Sequence, residues 1–593
     1  MSHSPTTLSE WARELEEKIE RIAESNKTSE LTLVSTNLDS KFDNDMNLKS
    51  KIDNDMNLKS KLFCINFNIW TCTRRQETHH RYHEQDTEQK TRQKRRMIFI
   101  IVFISIAASI LVPLLWLWKR ASTRDPLQLQ LIQRTGSMLM DNGKPFKFIS
   151  YNVPGLLLLE DYQGPLVYQD LPVCRYPSSS EVFSTENGSK CITPTPQMTL
   201  ADNNSSSAKR TWIPPTTHEQ EDAIKTVKAL NGKVIRTYTL GFGNGYHVQG
   251  LGQYFEPAWV AFDNALSLAR KHGIRLVVPL VNNEKGGFGD YRILCSFRNK
   301  SGDEFYTDPQ SRQDLKDIIK YMLDRRNSVD GTRYGDDPAI LAWQLGNELG
   351  GWDGTTLPPT AWTLEMAQFI KNNSKQLVMD GIYGSINATT RYTPQVLSSD
   401  FVDMFDNHYY DSKTDIHRIP RDADFVANQF EKVFILGEIG FTPAEVAPIL
   451  QLSISNPQIT GSLIWSLRYH AQYGGFYNHR EKDNVYSFHA PNDEMIQMAA
   501  KYSFQVDGLD VSFPVPDPVT PASGTITASS LRWMGSAMAA SYRIKRSDGV
   551  EYNSTDSSFN DPNPSPVKGI SYSITPISVD GREQSSNPLI LKV

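Results

Sequence analysis

Two glutamates stand at the ends of short apolar runs in the sequence. Glu348 follows the run that begins at Ile340, and Glu438 ends the run that begins at Val433. Such runs are typical of buried strands. Two carboxyl groups about 5 to 5.5 Å apart can cleave a glycosidic bond with retention of configuration, because a protonated one assists the leaving oxygen while an ionised one attacks the anomeric carbon. A lone glutamate after a strand is more often solvated, so whether these two glutamates form a site depends on the elements that surround them.

Residues 125–510 alternate β-rich runs with helical stretches, which predicts an α/β fold with a parallel sheet. Eight runs qualify as strands, the number that a closed (β/α)8 TIM barrel needs. Glu348 after strand four and Glu438 on strand seven are then predicted to face each other across the mouth of the barrel. Residues 157–217, rich in Ser, Thr and Pro, form a predicted insertion, a lid or a surface excursion. The predicted strands are 146–152, 234–240, 274–281, 340–347, 376–382, 401–408, 433–438 and 461–467.

The N-terminal part of the chain has a different composition. Residues 97–118 form an uncharged run long enough for a transmembrane helix. More basic residues precede this run than follow it, so the positive-inside rule predicts a single-pass type II membrane protein with an extracellular or lumenal catalytic domain. Residues 1–96 are then cytosolic, and their polar composition predicts that they are mostly disordered.

The last residues change character again. A proline-rich linker precedes residues 516–593, where short alternating strands are joined by Asp548-Gly549 and Asp580-Gly581, which are hairpin signals. This pattern predicts a small antiparallel β-sandwich. Trp533 and Tyr542 resemble aromatic positions of fibronectin type III domains.

Composition argues against a nucleic acid partner and leaves one cysteine pairing open. The net charge of -5 and 22% charged residues show no broad basic face, so we expect no nucleic acid partner. His79, His80 and His83 could suggest a metal site, but their Arg- and Gln-rich surroundings are typical of a solvated tract, so we expect no metal and no cofactor. Of the five cysteines, Cys174 and Cys191 would close a loop in an oxidising compartment, or remain free.

Several segments resemble glycoside hydrolase family five, and within it the endo-β-1,4-mannanases of fungi and plants. The resemblance spans roughly 136–505 and is most specific at 305–308 and 334–348. Further matching segments are 142–146, 234–236, 281–283, 407–410, 437–438 and 464–465.

The resemblance implies a role for each matching residue of the site. Glu348 would be the general acid/base and Glu438 the covalent nucleophile. Asn347 would bind the 2-hydroxyl of the sugar at the cleavage point, and Trp465 would form the floor beneath that sugar. The remaining residues would hold the glutamates or the substrate, and they are Arg236, Asn283, His408 and Tyr410.

This chain departs from the mannanase pattern in two loops that would contact substrate. Glu284 stands where mannanases usually carry Trp, and Leu349-Gly350-Gly351 replaces the usual Pro-Arg. Trp352 could supply a replacement stacking surface, or could pack within its loop. The catalytic centre matches the pattern, but the substrate subsites are open.

The sequence therefore predicts a retaining glycoside hydrolase that cleaves a β-linked polysaccharide, with endo-β-1,4-mannan as the leading substrate and a monomeric catalytic domain. The alternative is a membrane-anchored protein that binds cell-wall glycan, or transfers glycosyl groups, on the same barrel. Competent residues at every catalytic position favour the hydrolase, because a pure binder would not need them.

Overall fold

The computed structural model describes most of the chain beyond residue 128. The described residues are 129–161, 211–351, 357–382, 391–478, 480–481, 484–485, 487–522, 530–567, 569–584 and 587–593. Four sequence predictions lie outside them: residues 1–96, residues 97–118, the Cys174–Cys191 pairing and the role of Trp352. Most of the insertion at 157–217 also lies outside.

Eight parallel strands close into a barrel, which confirms the predicted (β/α)8 architecture. Neighbouring strands pair in parallel around the whole ring, and the eighth strand pairs with the first. Each observed strand lies at a predicted position, although most are a few residues shorter. The barrel strands are Phe148–Asn152, Val234–Arg236, Arg275–Pro279, Ile340–Gln344, Leu377–Met379, Met404–Tyr409, Val433–Ile439 and Ile459–Ile464.

Residue alternation along these strands separates two apolar layers. Val234, Leu341 and Met404 belong to the cluster inside the barrel, whereas Ile235 and Phe405 belong to the larger cluster between strands and helices. Side chains two residues apart share a face of a strand. Residues following Val234 and Met404 at even spacing, such as Arg236 and Asp406, therefore point inward near the carboxyl ends of their strands.

Helices cover the outside of the barrel, and their ends carry clear signals. Asp308 caps one helix by accepting a hydrogen bond from the Ser311 backbone N–H at 2.6 Å, and Pro309 follows at the first helical position. Gly273, with φ of 77°, ends another helix in the left-handed conformation that glycine adopts without strain. The helices are Thr217–Ala229, Glu256–His272, Tyr291–Ser296, Pro309–Asp324, Thr360–Asn373, Pro394–Leu397, Ser412–Ala423, Pro443–Ser455 and Glu494–Val506.

The predicted localisation, a single-pass type II membrane protein with an extracellular or lumenal catalytic domain, is wrong. Among the residues that the structure describes, no helix is long and apolar enough to cross a membrane. Even Glu256–His272, with 17 residues, is interrupted by charged side chains and is shorter than the about 20 apolar residues that a bilayer core requires.

The C-terminal residues form two small sheets around their own apolar cluster. One sheet has three strands, Thr520–Pro521, Leu531–Met534 and Ser558–Phe559. The other has four strands in the spatial order Glu551–Ser554, Ser541–Arg546, Ser571–Ile577 and Leu589–Lys592. Trp533, Tyr542 and Tyr572 are fully buried in the shared cluster.

The remaining short strands lie in loops and at the base of the barrel. They are Gln133–Thr135, Met138–Asp141, Lys144–Pro145, Leu159–Asp161, Thr211–Ile213, Val248–Gly250, Gln253–Tyr254, Leu467–Arg468, Arg480–Glu481, Asn484–Val485 and Phe488–His489.

Candidate active site

The two glutamates lie together at the carboxyl ends of the barrel strands. One oxygen of Glu348 and one of Glu438 lie within 4.8 Å of each other and of a ring nitrogen of His408. The Glu438 side chain is 5% exposed, whereas that of Glu348 is 31% exposed. The pair therefore has unequal burial, which is the condition for two carboxyl groups to take different protonation states.

Glu438 is surrounded by groups that hold its carboxylate. Arg236 Nη1 donates to Glu438 Oε1 at 2.7 Å, the Tyr410 hydroxyl donates to Oε2, and His408 Nδ1 lies 3.3 Å from Oε2. Burial raises the pKa of the Glu438 carboxyl, and the positive charges of His408 and Arg236 and the Tyr410 hydrogen bond act against this rise. These three neighbours favour the ionised form, which is the nucleophilic one.

The backbone around Glu348 fixes the direction of its side chain. Glu348 has φ of 51°, in the left-handed region that few residues other than glycine adopt. Neighbouring strand ends hold it there, because the Asn347 N–H donates to the Val281 carbonyl at 2.7 Å and the Leu349 N–H donates to the Gly381 carbonyl at 3.0 Å. Such a conformation persists only where the surroundings determine it, as at many functional sites.

His408 links the two glutamates from the floor of the site. Its Nδ1 lies 2.7 Å from Glu348 Oε1, and its Nε2 lies 3.6 Å from Asp406 Oδ2. Burial alone lowers the pKa of His408, but the carboxylates of Glu438, Asp406 and Glu348 outweigh it, so the pKa rises to about 9. The neighbouring carboxyl groups therefore favour the charged form of the His408 ring.

Arg236 is the centre of a buried hydrogen-bond network that the sequence predicted only in part. Besides Glu438, the guanidinium donates to Asn347 Oδ1 at 2.6 Å, to Gln344 Oε1 at 2.8 Å and to Asn152 Oδ1 at 3.1 Å. Gln344 in turn donates to Asp406 Oδ2 at 3.0 Å. Sequence reasoning missed Gln344, Asn152 and Asp406. Their position at the inward-facing ends of barrel strands is the signal that could have found them.

Asn283 and its neighbour have different partners. Asn282 Oδ1 accepts a hydrogen bond from Asn347 Nδ2 at 3.1 Å and is fully buried. The Asn283 side chain instead accepts from Arg292 at 3.3 Å. Asn282, which the sequence analysis did not single out, is therefore the residue that orients Asn347, while Asn283 lies beside the loop that follows.

Trp465 lies directly after the eighth strand, at the same end of the barrel as the two glutamates. It is 7% exposed, and its ring lies 6.0 Å from that of Tyr238 at an interplanar angle of 53°. The Tyr238 hydroxyl lies 3.3 Å from Glu284 Oε2, so the glutamate that departs from the mannanase pattern stands near this aromatic pair. Tyr238 is a further residue of the cleft that the sequence analysis missed.

Glu348, His408 and Glu438 offer three atoms that could hold a metal ion. The Arg236 guanidinium, 2.7 Å from Glu438 Oε1, opposes a second positive charge there. The donor set fits two carboxyl groups that share a cationic histidine better than it fits a metal centre.

The Tyr410 hydrogen bond should set the acid limit of activity. In Tyr410→Phe the ionised Glu438 loses a donor, so its pKa rises and the acid limb of the kcat/KM profile moves about one unit to higher pH. The measurement is kcat/KM from acid to neutral pH. Tyr409→Phe is the matched control, because the Tyr409 hydroxyl donates to Asp422 at 2.9 Å, away from the site. Equal profiles for the two variants would contradict this role.

His408 should also make stability depend on pH. Its pKa of about 9 lies above the ordinary 6.5, so its contribution is complete below pH 6.5 and is lost as the pH rises through about 9. The Tm gap between the unsubstituted chain and His408→Asn should therefore narrow across that range. His272→Asn is the control, since burial lowers the pKa of His272, and its gap should not narrow there. A His408→Asn gap that stays constant would contradict the assignment.

The chain is a glycoside hydrolase, because the family model and the curated relatives that it matches belong to that class. Within that class, residues 244–418 match the model of glycoside hydrolase family 5 described as β-mannosidase-like. That match contains Glu348 and His408 but ends before Glu438.

Among curated proteins, the chain is 27% identical over 305 residues to mannan endo-1,4-β-mannosidase 1 of tomato, Solanum lycopersicum, which covers 43% of this chain and 76% of that protein. It is 36% identical over 167 residues to mannan endo-1,4-β-mannosidase 5 of Arabidopsis thaliana, covering 26% of this chain and 38% of that protein. The match thus spans less than two thirds of the Arabidopsis relative.

Among solved structures, the chain is similar to a glycoside hydrolase family 5 mannosidase from Rhizomucor miehei. It shares 16% identity with this chain at a TM-score of 0.48, and the alignment covers 63% of this chain and 97% of that one.

Proposed function

We propose that this chain hydrolyses β-1,4-linked mannan with retention of configuration, with Glu438 as nucleophile and Glu348 as acid/base. The observation that carries the proposal is the pair of carboxyl oxygens within 4.8 Å. Retaining enzymes hold their carboxyl groups about 5 to 5.5 Å apart, whereas inverting enzymes leave about 6.5 to 9.5 Å for a water molecule. The separation here supports direct attack by one carboxylate.

In the first step Glu438 attacks the anomeric carbon while the bond to the leaving sugar breaks. Glu348, in its protonated form, gives its proton to the leaving oxygen, so a neutral hydroxyl departs. A covalent ester then joins Glu438 to the sugar. Arg236 and Tyr410 hold the attacking carboxylate in position, and Asn347, oriented by Arg236 and Asn282, faces the bound sugar.

In the second step water replaces the departed sugar. Glu348, now ionised, takes a proton from that water, whose oxygen attacks the anomeric carbon while the bond to Glu438 breaks. Two inversions restore the original configuration. His408 contacts both glutamates and carries positive charge, so it balances the negative charge that passes between them.

The choice of mannan rests on the relatives, which are named as mannan endo-1,4-β-mannosidases. The cleft adds Trp465 and Tyr238 as flat apolar surfaces on which a pyranose can stack. We also propose the domain limits given by the sequence, 125–510 for the barrel with its 157–217 insertion and 516–593 for the C-terminal part. The strand order of its two sheets supports a fibronectin type III-like sandwich.

The test is a polysaccharide panel with product sizing. The full chain is incubated with mannan, glucomannan and β-glucans, and reducing ends and product lengths are measured. We expect release from mannan or glucomannan with a mixture of oligosaccharides. Folded protein that releases nothing from any of them would defeat the proposal, and release from β-glucan alone would defeat its substrate.

A further inference from the structure

The loop after the eighth barrel strand contacts both the barrel and the C-terminal sheets. This strand-eight loop, residues 466–478, begins directly after Trp465. Its first residues, Leu467–Arg468, pair with Phe488–His489, and the rest of the loop folds back on itself through a bridge between His470 and Phe476. Two sets of buried contacts hold it from opposite sides.

The barrel side of the loop is held by two buried carboxylates of the helix Thr217–Ala229. Glu219 Oε1 accepts a hydrogen bond from the Gln472 backbone N–H at 2.8 Å, and Asp222 Oδ2 accepts one from the His470 N–H at 3.0 Å. Asp222 also lies 3.1 Å from His470 Nδ1. The His470 ring is therefore oriented, with its Nε2 directed away from the helix.

The C-terminal sheets hold the other side of the loop. The Tyr542 hydroxyl lies 3.4 Å from His470 Nε2, and Ser557 Oγ accepts from the Gly475 N–H at 2.6 Å. Gly535 lies flat against the His470 ring, where a Cβ atom would approach His470 Cδ2 to 2.0 Å. The contact thus has the close packing of a protein interior rather than that of two domains on a flexible linker.

Apolar packing joins the two parts as well. Met538, in the turn before the strand Ser541–Arg546, is 1% exposed and belongs to the apolar cluster of the barrel. Asn492, beyond the strand-eight loop, donates to the Ala540 carbonyl at 2.7 Å. The C-terminal part is therefore built into the barrel surface beside the active-site mouth.

We propose that the C-terminal sheets position the active site: they hold the strand-eight loop, and through it Trp465, with Tyr542 as the positioning residue. The expected effect on catalysis rests on the proposed function. The claim that the C-terminal sheets hold the strand-eight loop does not depend on it. Removal of the Tyr542 hydroxyl loosens His470 and the four residues that separate it from Trp465, and so lets the sugar floor shift.

The first experiment compares Tyr542→Phe with Tyr552→Phe in the full chain by hydrogen exchange. Both variants lose one hydroxyl of the C-terminal part, but the Tyr552 hydroxyl donates to Asp561 at 2.9 Å and does not touch the loop. We expect about tenfold faster exchange of loop amides in Tyr542→Phe alone. Unchanged loop exchange, or the same increase in both variants, would overturn the proposal even if the chain proves inactive on every glycan.

The second experiment asks whether Tyr542 acts through Trp465. On the best polysaccharide of the panel, Tyr542→Phe should lower kcat/KM about fivefold in the otherwise unchanged chain and less than about 1.5-fold in a Trp465→Ala background, since coupled residues are not additive. An equal loss in both backgrounds would show that Tyr542 does not act on the sugar floor, and would overturn the positioning role. Inactivity of the unsubstituted chain would instead contradict the proposed function.

Discussion

Glu438→Ala is expected to abolish hydrolysis and to regain turnover with azide. Without the nucleophile no glycosyl ester forms, and kcat on mannan should fall on the order of 10⁴-fold, about 5 kcal/mol of transition-state stabilisation. The missing carboxylate leaves space beside Arg236, where azide can attack the anomeric carbon of a substrate with an activated leaving group. One inversion replaces two, so the product is the α-glycosyl azide.

The measurement is rate and product analysis with an activated aryl β-manno-oligosaccharide. Glu365→Ala serves as the control, because Glu365 pairs with Arg312 at 2.9 Å on the barrel surface and lies outside the site. The control should keep full activity. A β-glycosyl azide from Glu438→Ala, or no rescue in folded protein, would remove Glu438 from the nucleophile role.

Glu348→Ala is expected to show a loss that depends on the leaving group. A mannan leaving group needs a proton, so kcat on the polymer should fall on the order of 10³-fold or more. An activated aryl group leaves without a proton, so the first step survives and the covalent ester accumulates. Azide then attacks this ester from the opposite face, and the product of two inversions is the β-glycosyl azide.

The two glutamates are thus distinguished by the anomer of the azide product, α for Glu438→Ala and β for Glu348→Ala. The measurement is kcat and KM on mannan and on aryl substrates of differing leaving-group acidity. Equal losses on all leaving groups would contradict the acid/base role of Glu348.

Much of the barrel could be predicted because each strand is a continuous apolar run. All eight predicted strands were found at their positions, and the ring order follows from right-handed βα connections between neighbours. The prediction that Glu348 and Glu438 face each other could be made from their positions at the ends of strands alone. Their separation did not, because it depends on the left-handed backbone of Glu348 and on side chains from four other strands.

The part of the site that could not be predicted is the set of buried polar residues that hydrogen-bond to other polar residues of the site. Gln344, Asn152 and Asp406 contact Arg236 or His408 and are buried, so they resemble ordinary strand residues in the sequence. Asn282, which orients Asn347, was missed for the same reason, since it and the adjacent Asn283 differ only in which face of the loop each one meets. Contacts between distant segments, such as His470 with Tyr542, have no local signal.

The localisation failed for a different reason. The prediction rested on the hydropathy of residues 97–118 alone, which lie outside the described residues, and no helix among the described residues is long and apolar enough to cross a membrane.

The most direct test of the central claim is the configuration of the first product released from a manno-oligosaccharide. Proton NMR of the full chain acting on the oligosaccharide, recorded before mutarotation, distinguishes the two anomers. Attack by Glu438 and then by water predicts that the β-anomer appears first. First appearance of the α-anomer would show a single displacement and would contradict the retaining mechanism.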